Sequence, residues 1–163
     1  MQFDFRRGGK KCSVCESRFA PGQKFVSALM EQDDGQTTRA DFCMDDWKSQ
    51  QPECIGFWNQ QTADLTTGKI YWAPRDVLIS YFEYLLDQKK LETAWVMSLL
   101  MIQKKILSMT STFEEESGSG RVLTDRMSSK VYEVPDVEIA PDKIQQIQTE
   151  LSENLFSNQP AAD

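Results

Sequence analysis

The sequence predicts an α+β protein. A β-hairpin module with a metal-ligand pattern comes first, packed on a helical body that ends in a second hairpin and a closing helix. Three observations carry this reading. Cys12-Ser-Val-Cys15 is followed by an alternating segment, an Asp34-Gly35 turn signal and a return segment that reaches Cys43. Two apolar stripes at helical period occupy residues 77–107. Short β-branched runs and a stripe led by Pro141 complete the chain.

Residues 1–11 alternate at Phe3 and Phe5 and then turn basic at Arg6, Arg7, Lys10 and Lys11, as a short strand or arm would. A Cys-x-x-Cys pair on a tight turn offers two thiolates to one metal. Pro21-Gly22 marks a turn before the first hairpin strand. Cys43 then stands at the start of a short polar helix, whose free N–H groups favour a thiolate. Knuckle, hairpin and helix start are the means by which a zinc-ribbon or treble-clef module gathers distant ligands. A full set would carry a second Cys-x-x-Cys beginning at Cys43, and Asp46 occupies its last place. Aspartate ligates zinc through oxygen, so Cys12, Cys15, Cys43 and Asp46 form the first candidate set. Cys54 is the alternative fourth ligand. The third outcome is no tightly held metal, with free cysteines serving as small core residues. Trp47 follows Cys43 by one helical turn and is expected to pack beneath the site.

Residues 1–50 make up this module. Residues 51–73 read as an aromatic connector, with a polar loop between Phe57-Trp58 and Tyr71-Trp72. These four aromatics are core packing or, on the sharper reading, a partner-binding face. Residues 74–157 hold a helical hairpin, a β-hairpin and the closing helix. The first stripe comprises Val77, Leu78, Tyr81, Phe82, Leu85 and Leu86; Asp87 to Lys90 interrupt it. The second runs from Leu91 through Leu99 and Leu100 to Ile106 and Leu107, and is apolar nearly all round, as in a central helix. Met97, Met101 and Met109 are core filling or an adaptable partner surface. Glu114, Glu115 and Glu116 read as a solvated charge run that ends the helix, and Ser117-Gly-Ser-Gly120 as a flexible linker or loop tip. Two strands flank Met127-Ser-Ser129. Ile144, Ile147, Leu151 and Leu155 line the last helix, and residues 158–163 read as a disordered tail.

Hydrophobic residues make up 40% and charged residues 26%, ordinary for a soluble globular chain. A net charge of −7 argues against a general nucleic-acid binder. The chain has no histidine, which removes histidine triads, histidine bases and histidine metal ligands. No dinucleotide fingerprint, phosphate loop or repeat is present. The first residues lack the apolar core of a signal peptide, and the longest apolar run, residues 94–102, falls short of the roughly 20 residues a membrane span needs. A reducing cytoplasm is the expected compartment.

The pattern C-x-x-C, F-x-P-G, S-x-L, R-x-D-F-C-x-x-D-W over residues 12–47 resembles a family of small uncharacterised bacterial proteins, common in planctomycetes. Gly56-Phe57-Trp58, the run from Leu99 to Leu107 and Tyr132-Glu-Val-Pro135 agree with it. The resemblance implies a zinc-ribbon-like architecture, carries over no activity and leaves function open, and in similar sequences a cysteine usually stands at the place of Asp46. The function expected is a non-catalytic, metal-organised protein-interaction component. One alternative is nucleic-acid or ribosome association through Arg6, Arg7, Lys10 and Lys11. The other is an enzyme, using either thiol redox at Cys12 and Cys15 or hydrolysis at a metal-bound water beside Asp46, with Asp41 or Asp45 assisting.

Overall fold

The computed structural model describes residues 11–62 and 71–157. The features expected at Arg6, Arg7 and Lys10, in the loop at residues 63–70 and in the tail from residue 158 lie outside them. The class is α+β: among the described residues there are four helices, two three-stranded antiparallel sheets and one two-stranded pair. No described helix is long and apolar enough to cross a membrane. The chain divides into two compact units. One runs to Ser80 and resumes at Glu150; the other is Tyr81–Thr149.

In the first unit, β1 (Lys24–Glu31) lies between β2 (Thr37–Cys43) and β3 (Gly56–Gln61). Five successive β1 residues, Phe25 to Leu29, are buried, which explains an apolar run broken only by Ser27. Both turn signals hold. The Gln23 N–H donates to the Ala20 carbonyl at 3.0 Å, with Gly22 at φ +78°. At the hairpin tip the Gly35 N–H donates to Gln32, with φ +81°. Glycine occupies both left-handed positions because a Cβ is strained there. The helix α1 (Met44–Gln50) starts directly after β2. The pair β4 (Tyr71–Trp72) and β8 (Phe156–Ser157) joins the returning end of the chain to this unit, and the Ala73 N–H donates to the Leu155 carbonyl at 2.7 Å.

The expected aromatic connector is in part a strand. β3 completes the sheet, and alternation along it sends Phe57 and Trp58 to opposite faces. Trp58 is 3% exposed and belongs to the core, so it is not available as a partner-binding residue. Phe57 is 52% exposed. Tyr71 and Trp72 are half-buried, with Trp72 against Phe156 at 5.0 Å.

The second unit contains most of α2 (Arg75–Asp87), then α3 (Leu91–Gln103), β5 (Leu107–Glu115), β6 (Gly118–Asp125) and β7 (Val131–Pro135), and most of α4 (Pro141–Leu155). The helical hairpin expected across Asp87 to Lys90 is present. Its break is a Schellman stop: Lys90 N–H donates to Leu85 and Lys89 N–H to Leu86, with Lys89 at φ +57°. The same motif ends α3, where Ile106 donates to Met101 and Lys105 to Ile102, with Lys105 at φ +62°.

Here the expected helix tail and linker are corrected. Leu107 to Glu115 form an edge strand, and Glu115 pairs with Gly118 across a tight turn at Glu116-Ser117. The signal was weak because lysine fills the left-handed stop position and β5 is Ser/Thr-rich on both faces. α3 is not buried all round either: Ala94, Val96, Met97, Ser98 and Met101 are buried, while Leu99 is 40% exposed. Met97 and Met101 are core residues, whereas Met109 is exposed. The hairpin at Met127-Ser-Ser129 holds, with Asp125 Oδ1 accepting from the Met127 N–H at 2.9 Å.

Glu83 of α2 accepts from the Tyr132 hydroxyl at 2.7 Å and from Lys130 Nζ at 3.0 Å. These contacts, the Tyr132 hydrogen bond foremost, hold its carboxyl below the usual range. A carboxyl lowered by folding adds stability above its unfolded pKa, and this is lost as pH falls through the folded value. Glu83→Gln is therefore expected to lower the melting temperature at neutral pH, with the gap to wild type narrowing as the pH falls below the ordinary glutamate value of about 4.3. Thermal melts across that pH range check this; a pH-independent gap contradicts it. Two glycine exchanges test the backbone. Lys105→Gly is expected to stabilise by about 1 kcal/mol, as it relieves a left-handed lysine. Gly120→Ala is expected to destabilise by about 1–3 kcal/mol, because its Cβ would collide with the Phe113 ring and the Val134 carbonyl. Urea unfolding measures both.

Candidate metal centre

The site assembles from three short segments of the first unit. Cys12 and Cys15 lie on a tight turn closed by Cys12 N–H to Ser17 carbonyl at 3.0 Å and Glu16 N–H to Cys12 carbonyl at 3.1 Å. Glu16 takes φ +60° there. The Val14 N–H points at the Cys12 sulfur, 3.4 Å away. Just outside the turn, Lys11 and Arg18 form a bridge, and Phe19 stacks on Phe25 of β1 at 4.5 Å. Phe25 is in turn the cross-strand partner of Cys43. The ladder thus carries Cys43 back beside a turn that precedes it by 28 residues.

A two-point clamp makes the same connection through the backbone. The Ser13 N–H donates to the Asp41 carbonyl at 2.7 Å, and the Asp41 N–H donates to Ser13 Oγ at 3.1 Å. Asp41 precedes Cys43 by two residues, so both stand on the same face of β2. Asp46 then lies three residues into α1, one turn along from Cys43, the helical spacing at which side chains meet.

The ligand atoms of Cys12, Cys15, Cys43 and Asp46 all lie within 4.8 Å of one another, the only such group among the described residues. Asp46 Oδ2 accepts from Cys12 Sγ and from Cys43 Sγ, each at 3.1 Å, and Cys15 Sγ lies 4.0 Å from Cys43 Sγ. A tetrahedral zinc with Zn–S bonds of about 2.3 Å separates its sulfurs by about 3.8 Å. The group therefore fits a single ion with little rearrangement. Cys12 is fully buried, Cys43 and Asp46 are half-buried, and Cys15 faces solvent.

The charges respond to one another. Hydrogen bonds from Cys12 first, and from Cys15 and Cys43, hold the Asp46 carboxyl below its ordinary value. At Cys43 the Asp46 backbone N–H pulls the pKa down. Burial and the side chains of Asp46, Cys12 and Cys15 outweigh it, and the thiol is pushed up to about 12. The proton thus stays on the sulfur next to a carboxylate, and an arriving cation would have to displace it.

Cys54, the alternative fourth ligand, stands apart from the group. The next residue, Ile55, donates its N–H to the Leu29 carbonyl, whereas Cys43 pairs with Phe25. Four strand residues separate those anchor points, about 13 Å at the strand rise. Burial raises the Cys54 thiol pKa. Trp47 packs between Phe42 at 5.5 Å and Phe57 at 4.9 Å, a cluster of tilted rings on the opposite face from Asp41 and Cys43.

One feature escaped sequence reasoning. On the face shared with Cys43, the side chains of Ser27, Arg39, Asp41 and Gln60 form a hydrogen-bonded polar cluster. The available signal was the polar alternation Thr37, Arg39, Asp41 opposite a serine in an otherwise apolar strand.

Metal titration with chelator competition should separate the ligands. Cys12→Ser and Cys43→Ser are expected to weaken divalent-metal binding severely. Cys54→Ser should leave it unchanged, and Asp46→Cys should tighten it, since a fourth thiolate completes the usual closed set. Loss of binding in Cys54→Ser would reassign the fourth ligand. Against models of protein families, curated proteins and solved structures the chain has no match, so the case for a metal centre stands on these distances and donor atoms.

Proposed function

We propose that Cys12, Cys15, Cys43 and Asp46 hold one structural zinc ion, and that the chain is a non-catalytic, metal-organised protein-interaction component of the cytoplasm. The observation that carries this reading is the convergence of four ligand atoms from three chain segments to within 4.8 Å. A sulfur-rich donor set with one carboxylate suits zinc, which accepts tetrahedral S and O ligands and imposes no geometry of its own. Four protein ligands make a closed centre, whereas catalytic zinc keeps a position for water or substrate. The lack of histidine removes the commonest general base. Kinship with the small bacterial proteins resembled by residues 12–47 belongs to the same proposal.

The interaction role draws on exposed apolar side chains in this unit. Phe57 is 52% exposed above Trp47, and Val14 at the tip of the Cys-x-x-Cys turn is 45% exposed. A pinned turn presents such side chains without a further ordering cost.

Elemental analysis of protein made in zinc-replete medium should find zinc near equimolar with chain, and X-ray absorption should show a sulfur-rich four-coordinate shell. Affinity capture from the native source should recover a protein that is released by chelation. Zinc-free protein under those conditions would remove the metal reading. A hydrolytic activity abolished by Asp46→Ala would turn the assignment to an enzyme, and capture of nucleic acid in place of protein would favour the ribosome-type alternative.

A further inference from the structure

The first unit buries two opposite charges in one small sheet. The side chains of Arg39 and Asp41 are 6% and 12% exposed, and Ser27 and Gln60 beside them are 0% and 1% exposed. Asp41 Oδ1 accepts from Ser27 Oγ at 2.5 Å and from Arg39 Nε at 3.3 Å. Ser27 Oγ accepts from Gln60 Nε2 at 2.7 Å and from Arg39 Nη2 at 3.0 Å. The guanidinium lies 5.1 Å from the centre of the Trp58 ring and donates through Nη1 to the Phe156 carbonyl. A buried ion pair adds little net stability over an apolar pair of the same shape, and its best-attested use is to fix register.

This cluster has two exits. The backbone of Asp41 forms the two-point clamp on Ser13, between the two cysteines of the turn. Arg39 leads to the returning end of the chain at Phe156. A second contact reaches that end from β2, where Asn154 Nδ2 lies 3.5 Å from the Thr37 carbonyl.

We propose that Asp41 and Arg39 are positioning residues of the metal centre, and that they couple its loading to the seating of residues 150–157. This rests on the metal reading above. Drawing Cys12 and Cys15 onto Cys43 holds the turn and the end of β2 in one geometry, which secures the Ser13 clamp. Asp41, so held, fixes Arg39, and Arg39 fixes the Phe156 carbonyl. Linkage makes the effect reciprocal: seating of the returning segment raises metal affinity by the factor by which loading favours seating.

Cobalt(II) is the probe, read in the full chain by its thiolate charge-transfer and d–d bands together with residue-resolved amide exchange. In the wild type, cobalt should slow exchange at Ala73, whose N–H is bonded to Leu155, by about tenfold. Ser13 is exposed, so Ser13→Ala removes a clamp bond without leaving a buried charge unpaired. It should weaken cobalt binding about tenfold and shrink the Ala73 response, and Ser13→Thr should restore both. Arg39→Lys keeps the charge and loses the fork. It should retain the cobalt spectrum and the exchange response of β1, while the Ala73 response disappears. Cobalt bound equally by wild type and Ser13→Ala, with Ala73 exchange indifferent to cobalt, overturns the coupling and leaves the metal centre standing. No cobalt bands in the wild type overturns both.

Discussion

The register of β1 against β2 is the constraint on which the first unit depends. Phe25 stands opposite Cys43, Ser27 opposite Asp41 and Leu29 opposite Arg39. A slip of one residue would turn all three β2 side chains to the other face of the sheet. Cys43 would leave the Cys-x-x-Cys turn, and the charged pair would lose its serine. The register holds because the two faces differ: Ser27, Arg39 and Asp41 hydrogen-bond on one and Phe42 packs on Trp47 on the other, so a slip would set the charges among the aromatics. The ladder also closes most of the span between Cys15 and Cys43 before any ligand acts, and loop-closure entropy is then largely met by the sheet. A metal ion would have to close only the last few ångströms.

Within that frame, the sheet treats its two faces differently. One face carries the aromatic cluster of Phe42, Trp47 and Phe57 and is held by dispersion and burial. The other carries Arg39 and Asp41. Burial lowers the Arg39 pKa, and Asp41 opposes that shift through charge and hydrogen bonding. Removing one partner from such a pair costs about 3–5 kcal/mol, since the other is left buried and uncompensated. An apolar face tolerates sliding; a fork of donors on one carboxylate and one carbonyl does not. Fixed hydrogen-bond geometry therefore lies on the side where the ligands converge, and adaptable packing on the other.

How much of this could be read from the sequence follows from which residues carry local information. Glycines at required left-handed positions marked the turns at Gly22 and Gly35, and apolar spacing marked α2 and α4. The Cys-x-x-Cys pair and the place of Asp46 marked the group that converges, because the spacing is local on each side of the hairpin. What failed was non-local or disguised. Lys89 and Lys105 fill positions where glycine is expected, and only Lys89 came with a break in the stripe, so the end of α3 was hidden. β5 is an edge strand whose exposed faces need no apolar alternation. Trp58 and Phe57 are neighbours in sequence, yet only pairing with β1 decides which is buried. The cluster around Asp41 joins residues from three strands, and no window of sequence contains it.

The aspartate at the fourth ligand place has a physical reading of its own. A thiol is a weak donor and a weak acceptor, so four thiols brought together without metal would satisfy one another poorly. Here one carboxylate oxygen accepts from two thiols at 3.1 Å, and both the proton-loaded group and a metal-loaded one have a good acceptor in the same place. Without any ion the turn is held by Phe19 on Phe25, the Ser13 clamp and the Asp46 hydrogen bonds. A hard oxygen among soft sulfurs also binds zinc less tightly than a fourth thiolate would. On the zinc reading proposed above, such a site would give up some metal affinity while its hydrogen bonds hold the turn together without the ion.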